Sequence, residues 1–337
     1  MNNCLILSEI EKKILNHIQK KIPIVSRPFE ELANLFSLPE EQVRECIKEL
    51  KDKRIIRQIS GIFSTVNLGY KSCLVAFKIP LERVEKVAMQ INLHPGVSHN
   101  YLRNYEYNLW FTFALHPSGG DLLQTVEKLA KSVNVEKFLY LPVIKMFKIK
   151  VEFDMSDEND NKSENEHELP LQNDVIEGGN IKLTPKEIRF IQVMQEDIPL
   201  IKEPFVPLAK ELNITQEQLF DMTYDFLNRK LLKRYAALLD HYKAGYNANL
   251  MVVWKIPEEK IEESGKIMSQ IKEVSHCYQR AVYPDWQYNV YTMIHGKNYE
   301  ECQQVVYLIQ KRINIQDFML LYSQKEFKKI RLKYFLS

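Results

Sequence analysis

A series of residues in the first half of the chain recurs, in order, in the second. Ile22-Pro23, Pro28-Phe29 and Leu32-Ala33 match Ile198-Pro199, Pro204-Phe205 and Leu208-Ala209 without a gap, and Gly69-Tyr70 matches Gly245-Tyr246 at the same spacing. One residue of slip then aligns Lys78-Ile79-Pro80 with Lys255-Ile256-Pro257, and Val97-Ser98-His99 with Val274-Ser275-His276. An ordered series of this kind marks an internal duplication, so the chain builds one unit twice. Between the copies, residues 154–180 are acidic, rich in Asn and Ser and almost without aromatics. Such a segment cannot bury enough apolar surface to offset its ordering entropy, and it reads as a flexible tether.

Each copy opens with three helical patterns, over 8–21, 28–36 and 39–51 in the first. Ile10, Ile14, Leu15 and Ile18 recur at helical spacing, and Ser8 with Glu11 has the spacing of a capping box. The third pattern runs into a predicted two-strand wing from Ile55 to Phe63 and on to Gly69. This resembles the winged helix-turn-helix of the Lrp/AsnC regulators. The charges oppose DNA reading, however. The segments in the recognition position, Pro39 to Leu50 and Thr215 to Phe226, are rich in Glu and Asp, whereas a helix lying among phosphates normally brings Lys or Arg.

The second part of each copy alternates strand and helix. In the first copy strands are expected over 72–79, 96–105, 107–115 and 135–150, with helices over 81–93 and 120–132; βαββαβ is the ferredoxin-like order. The fold class is therefore α+β, a tandem repeat of winged helix-turn-helix (1–70 and 181–246) and ferredoxin-like domain (71–153 and 247–337). Helices on one face of each sheet leave the other face free. Pairing of the two free faces would enclose a cavity between the halves.

The 337 residues carry a net charge of +2, so no global positive field points to nucleic acid. Cys4, Cys46, Cys73, Cys277 and Cys302 form no CxxC pair, which argues against zinc, an iron–sulfur cluster or a disulfide framework and fits a reducing cytoplasm. No apolar run reaches the roughly 18 residues of a membrane span, and the first residues lack the pattern of a signal peptide. P-loop, GxGxxG, GxSxG and HExxH motifs are missing. His17, His94, His116 and His167 are given no role.

Chemistry concentrates on one strand of each copy. Successive strand residues alternate faces, so His99, Tyr101 and Arg103 project together, as do His276, Tyr278 and Arg280. Imidazole, phenol and guanidinium in a row suit a planar ligand bearing carboxylates: Arg grips a carboxylate, Tyr donates or stacks, and neutral imidazole ligates a metal. Aromatic and amide residues continue beyond the strand, with Tyr107, Asn108 and Trp110 in one copy and Trp286, Tyr288 and Asn289 in the other. Taken singly, each residue has a structural explanation. The same triplet kept in two copies whose surroundings have drifted points to a ligand site.

Val97 to Phe111, containing His99-Asn100-Tyr101-Leu102-Arg103, resembles one subunit of the siroheme decarboxylases. Arg234 to His241, Gly245-Tyr246, Met251 to Lys255 and His276 to Asn289 resemble the partner subunit. The resemblance covers both copies and implies non-oxidative removal of the C12 and C18 acetate carboxyls of siroheme, giving 12,18-didecarboxysiroheme for haem or haem d1 synthesis. It implies no cofactor beyond the iron tetrapyrrole substrate. His276 or His99 would be axial ligand to the iron or proton donor, and Arg280 or Arg103 would anchor a carboxylate. Tyr278 and Tyr101 would donate or relay protons, and Trp286 and Trp110 would pack near the macrocycle, with Tyr107, Tyr288 and Asn289 beside them. His241, whose first-copy counterpart is Thr65, could supply the role that one imidazole nitrogen cannot perform twice. Arg57 and Arg234, at matching positions, are further candidates for propionate binding. The rival readings are an Lrp/AsnC-like regulator sensing haem or an amino acid and a non-catalytic tetrapyrrole carrier. The fused chain is also a candidate homodimer.

Overall fold

The computed structural model describes residues 7–149, 182–240 and 248–336. The predicted tether (154–180), His241 and the Gly245-Tyr246 repeat pair lie outside them.

Each copy begins with three helices and one strand: α1 Glu9–Ile18, α2 Pro28–Phe36, α3 Glu40–Asp52 and β1 Ile56–Phe63 in the first copy, α6 Pro185–Met194, α7 Phe205–Glu211, α8 Gln216–Asn228 and β6 Leu232–Leu239 in the second. The expected capping box is present, with Glu11 N donating to Ser8 Oγ and Ser8 N to Glu11 Oε2; Thr184 and Glu187 repeat it on α6. Ile14, Leu15 and Ile18 are buried at helical spacing. They share one hydrophobic core with Phe190, Ile191 and Met194 from the second copy.

The wing differs from expectation. Residues 64–69 form turns rather than a returning strand, ending at Gly69 with φ +81°. β1 instead pairs antiparallel with β6 of the other copy, Ile59 opposite Ala237 and Ser60 opposite Ala236. Ile22 N donates to Tyr235 O (2.7 Å) and Ile198 N to Ile59 O (2.9 Å), so each copy's chain after its first helix binds the other copy's strand. Buried Ile59, Ser60 and Gly61 explain the preference, because a solvated hairpin would leave this run uncovered. At Gly61 a Cβ would stand 3.1 Å from Met194 O, so any side chain there would press its neighbours back by a few tenths of an ångström. Polar groups near the recognition-position helices are also committed across the copies. Arg44 of α3 reaches Leu200 O, Tyr224 of α8 donates to Ile24 O, and Ser26 donates to Gln216.

The second parts are β2 Lys71–Phe77, α4 Leu81–Asn92, β3 Val97–Arg103, β4 Leu109–Leu115, α5 Leu122–Ser132 and β5 Phe138–Ile149, then β7 Ala248–Trp254, α9 Ile261–Ser269, β8 Val274–Arg280, β9 Val290–Gly296, α10 Tyr299–Ile313 and β10 Phe318–Lys329. Each set has the ferredoxin-like strand order. The two sheets do not simply lie face to face, because they close edge to edge into one barrel of order β10-β3-β4-β2-β5-β8-β9-β7. The closure depends on two long strands. β5 pairs with β2 through Pro142 and with β8 from Val143 onward; β10 pairs with β7 through Tyr322 and with β3 from Ser323 onward. Ala76, Trp110, Leu139, Leu141, Met251, Val253, Trp286, Tyr291 and Leu321 pack together inside. At this level, side chains fill the space expected as an open cavity. No helix of the described residues is long and apolar enough to cross a membrane.

Candidate active site

On β3, Val97 and Leu102 pack with the helix-side core, and Asn100 donates to Ala88 O and Asn92 Oδ1 of α4. His99, Tyr101 and Arg103 take the opposite face, which lines the barrel. A register shift between Val97 and His99, repeated between Val274 and His276, makes room for Ser98 and Ser275. The expected row is present twice. His99 and Tyr101 rings stand 6.4 Å apart at 26°, and Arg103 Cζ lies 5.5 Å from the Tyr101 centroid; in the second copy His276 and Tyr278 are 5.9 Å apart and Arg280 is 5.0 Å from Tyr278. Burial pushes the Tyr278 hydroxyl up to about 12, against the opposing pull of Arg280.

The serine before each histidine holds its ring. Ser98 Oγ lies 2.9 Å from His99 Nδ1, and Ser275 Oγ lies 2.8 Å from His276 Nδ1. The two arrangements then diverge. Ser275 Oγ also has Met293 O at 3.2 Å as an acceptor, a partner that favours donation from His276 Nδ1–H to the serine and leaves Nε2 as the lone-pair nitrogen. Ser98 instead meets the Thr112 hydroxyl at 2.8 Å, where either oxygen can donate, so His99 is free to hold its proton on either nitrogen. Burial, then Lys329 and Arg57, press the His99 pKa down to about 4. Burial, then His295, His99, Arg280 and Lys148, press His276 down to about 3. The two copies' histidines therefore share one electrostatic neighbourhood, and both are neutral near pH 7.

Several expected ligand contacts have structural partners here. Arg103 Nη1 donates to Leu321 O at 2.7 Å and Arg280 Nη1 to Leu141 O, so each arginine ties its copy to the long strand of the other. Asn289 clasps Ile256 through both ends of its amide, donating to its carbonyl (2.7 Å) and accepting from its N–H (3.0 Å); Asn108 does the same to Ile79. The Tyr-Asn pairs shared by the two copies thus fix the turn after the first strand of each sheet, and Asn289 spends its amide on backbone. Trp110 and Trp286 are each about 1% exposed with ring centroids 5.6 Å apart, and Trp286 Nε1 donates to Tyr291 OH. Tyr107 donates to Asp285 Oδ2 and Tyr288 packs on Trp286, so this aromatic set lines the barrel interior rather than an open surface. Arg57 reaches the site by another route, donating to Lys329 O at 2.9 Å beside His99. Arg234 stands half-buried on β6, but in the register of the repeat it matches Gln58, and Lys233 takes the place of Arg57. His241 is outside the described residues.

Sequence reasoning passed over Lys329, Lys148, Asn249 and His295. The last two are opposed in register on β7 and β9. Strand alternation with Tyr291 and Met293 was the available signal for His295.

A model of the siroheme decarboxylase NirDL-like helix-turn-helix domain matches residues 11–57 and 187–232, and one of the AsnC-like ligand-binding domain matches 67–148 and 243–328. A siroheme decarboxylase of Hydrogenobacter thermophilus is 38% identical over 326 residues, covering 96% of this chain and 94% of that protein. The chain belongs to the siroheme decarboxylase family. The siroheme decarboxylase beta subunit of Methanosarcina barkeri, 38% identical, matches 42% of this chain and 94% of its own length, as a separately encoded half would. The crystal structure of the siroheme decarboxylase NirDL in co-complex with an iron-uroporphyrin III analogue superposes with a TM-score of 0.75 at 34% identity, covering 98% of this chain and 95% of that one. The duplication is thus a fusion of two family subunits.

Proposed function

We propose that the chain removes the C12 and C18 acetate carboxyls of siroheme, giving 12,18-didecarboxysiroheme without a redox step or a further cofactor. The observation that carries this reading is the charge around the two histidines. Lys329 stands opposite His99 in register and Arg57 donates to the Lys329 carbonyl, while Arg280 and Lys148 bear on His276; all four are cationic. A tetrapyrrole edged with carboxylates fits such a place.

Each cycle breaks the bond between the acetate methylene and its carboxyl carbon. The electron pair stays on the methylene, CO2 leaves, and one proton converts the methylene to methyl. A carboxylate gripped by a cation keeps its charge and resists this loss. The cations therefore suit the spectator carboxylates, while the reacting acetates belong beside the buried neutral rings. His276, with Nε2 as its lone-pair nitrogen, suits the axial position on the substrate iron. His99, whose tautomer is not fixed, suits proton delivery. Anionic substrate nearby raises an imidazole pKa, so binding itself favours loading His99 with the proton it gives up.

Anaerobic incubation with siroheme tests the reading through the Soret spectrum and product mass. A product lighter by two CO2 is expected. Binding at unchanged mass would make the chain a carrier, and an unchanged spectrum would remove the tetrapyrrole reading altogether.

A further inference from the structure

Besides Thr112 against Met293 behind the histidines, the two halves of the barrel differ at an opposed polar pair. In the second copy Asn249 faces His295 across β7 and β9; the corresponding residues in the first are Ser72 and Ala114 across β2 and β4. Asn249 and His295 alternate with Met251, Val253, Tyr291 and Met293, which line the barrel interior, so the pair shares that face. Asn249 is 7% exposed and its buried Oδ1 has no hydrogen-bond partner. With no bond holding its oxygen, the amide can turn towards a ligand without giving up a partner there. Rotation of the amide presents its N–H2 instead, and the imidazole offers an N–H. At the matching place in the first half Ala114 packs in one core with Tyr70, Tyr334 and Phe335, while Ser72 opposite it is exposed, so no buried polar pair forms there.

The substrate poses a problem that such a difference solves. In siroheme the acetates at C12 and C18 flank the propionates at C13 and C17, so an axis through the carbon bridging those two rings exchanges the reacting groups. The other two rings break the symmetry, because the same axis exchanges acetate with propionate there. A barrel of two equivalent halves would accept the macrocycle in either of two flipped poses. We propose that Asn249 and His295 form a carboxylate-binding pair, present in the second half alone, that fixes which way round the tetrapyrrole lies. The pair is a specificity determinant and makes the order of the two decarboxylations unique. This rests on siroheme being the substrate.

The test uses the full chain with siroheme under anaerobic conditions, sampled while singly decarboxylated product accumulates. Wild type should give one monodecarboxylated isomer in about ten-fold excess or more, a bias of roughly 1.4 kcal/mol between poses. Asn249→Ser with His295→Ala installs the first copy's residues. It should bring the isomers to comparable amounts and raise KM about ten-fold. A double variant that keeps the single isomer and the wild-type KM overturns the proposal. Asn249→Asp guards against misfolding of the double variant. It is close in shape and repels a carboxylate, so Soret titration should show binding weakened about ten-fold or more, and wild-type affinity would equally overturn the proposal. Wild type that binds siroheme but releases no CO2 defeats the decarboxylase reading alone, and the Asn249→Asp titration still decides the pair. Wild type that does not bind siroheme removes both.

Discussion

Arg103 of the first copy donates through Nη1 to the carbonyl oxygen of Leu321 in the second, 2.7 Å away, and Arg280 returns the contact to Leu141. Both carbonyls belong to long strands close to where each leaves its own sheet for the other. Replacing either arginine by Ala removes a buried charge-assisted hydrogen bond and leaves an unmatched carbonyl. Stability should fall by about 2–3 kcal/mol for each, read from denaturant midpoints. An unchanged midpoint would show that these arginines are held for the ligand alone.

Trp286 makes a second link, seated on Trp110 with a hydrogen bond to Tyr291. Trp286→Ala should cost about 3–5 kcal/mol by calorimetry, as for other fully buried large-to-small changes.

The serine behind His276 favours one tautomer. Ser275→Ala should weaken siroheme binding about ten-fold or more, because a misoriented imidazole ligates the substrate iron poorly. Ser98→Ala should be milder, since the Thr112 hydroxyl stays beside the site. Equal effects in steady-state assays would contradict the inequivalence of the two histidines.

His276→Ala should abolish the axial-ligand signature in the spectrum of bound siroheme. His99→Ala should keep that signature and lower kcat about a hundred-fold or more, as expected for loss of a general acid. The reverse pattern would exchange the roles.

Both histidines have folded-state pKa values depressed from 6.5, to about 4 and about 3. The unfolded chain therefore binds more protons than the folded one below about pH 6.5. Their contribution to stability is fully present above that pH and is lost as pH falls towards the folded-state values. Stability measured by urea denaturation should drop at up to about 1.4 kcal/mol per pH unit for each imidazole between these limits. A His99→Gln, His276→Gln double variant should flatten that slope.

The duplication, the ferredoxin-like order and the shared face of His99, Tyr101 and Arg103 were legible because repeats and strand alternation are local in sequence. The pairing of β1 with β6 was not. Ile56 to Phe63 reads as one arm of a hairpin, and only the buried run Ile59-Ser60-Gly61 hints that its partner comes from elsewhere. The double use of β5 and β10 was likewise hidden, because a strand of 12 residues carries no sign of where it changes neighbours. The backbone clasp of Asn289 is hidden in sequence, because an amide that clasps backbone looks there like one that clasps a ligand. Comparison of the copies drew attention to what they share, and Asn249 with His295 lies in what they do not.

The long shared strands also bear on what either half could be alone. Without its partner, the first half would present the whole of β3 and the Val143–Ile149 part of β5 as bare edges, and the second half would be open at β8 and β10. Unpaired edges of that length invite sticking to any other strand. Each half is therefore the other's protection against aggregation, and a chain cut between residues 149 and 182 should stay together as a tight two-piece complex. Joining the halves into one polypeptide guarantees that neither is made without its cover.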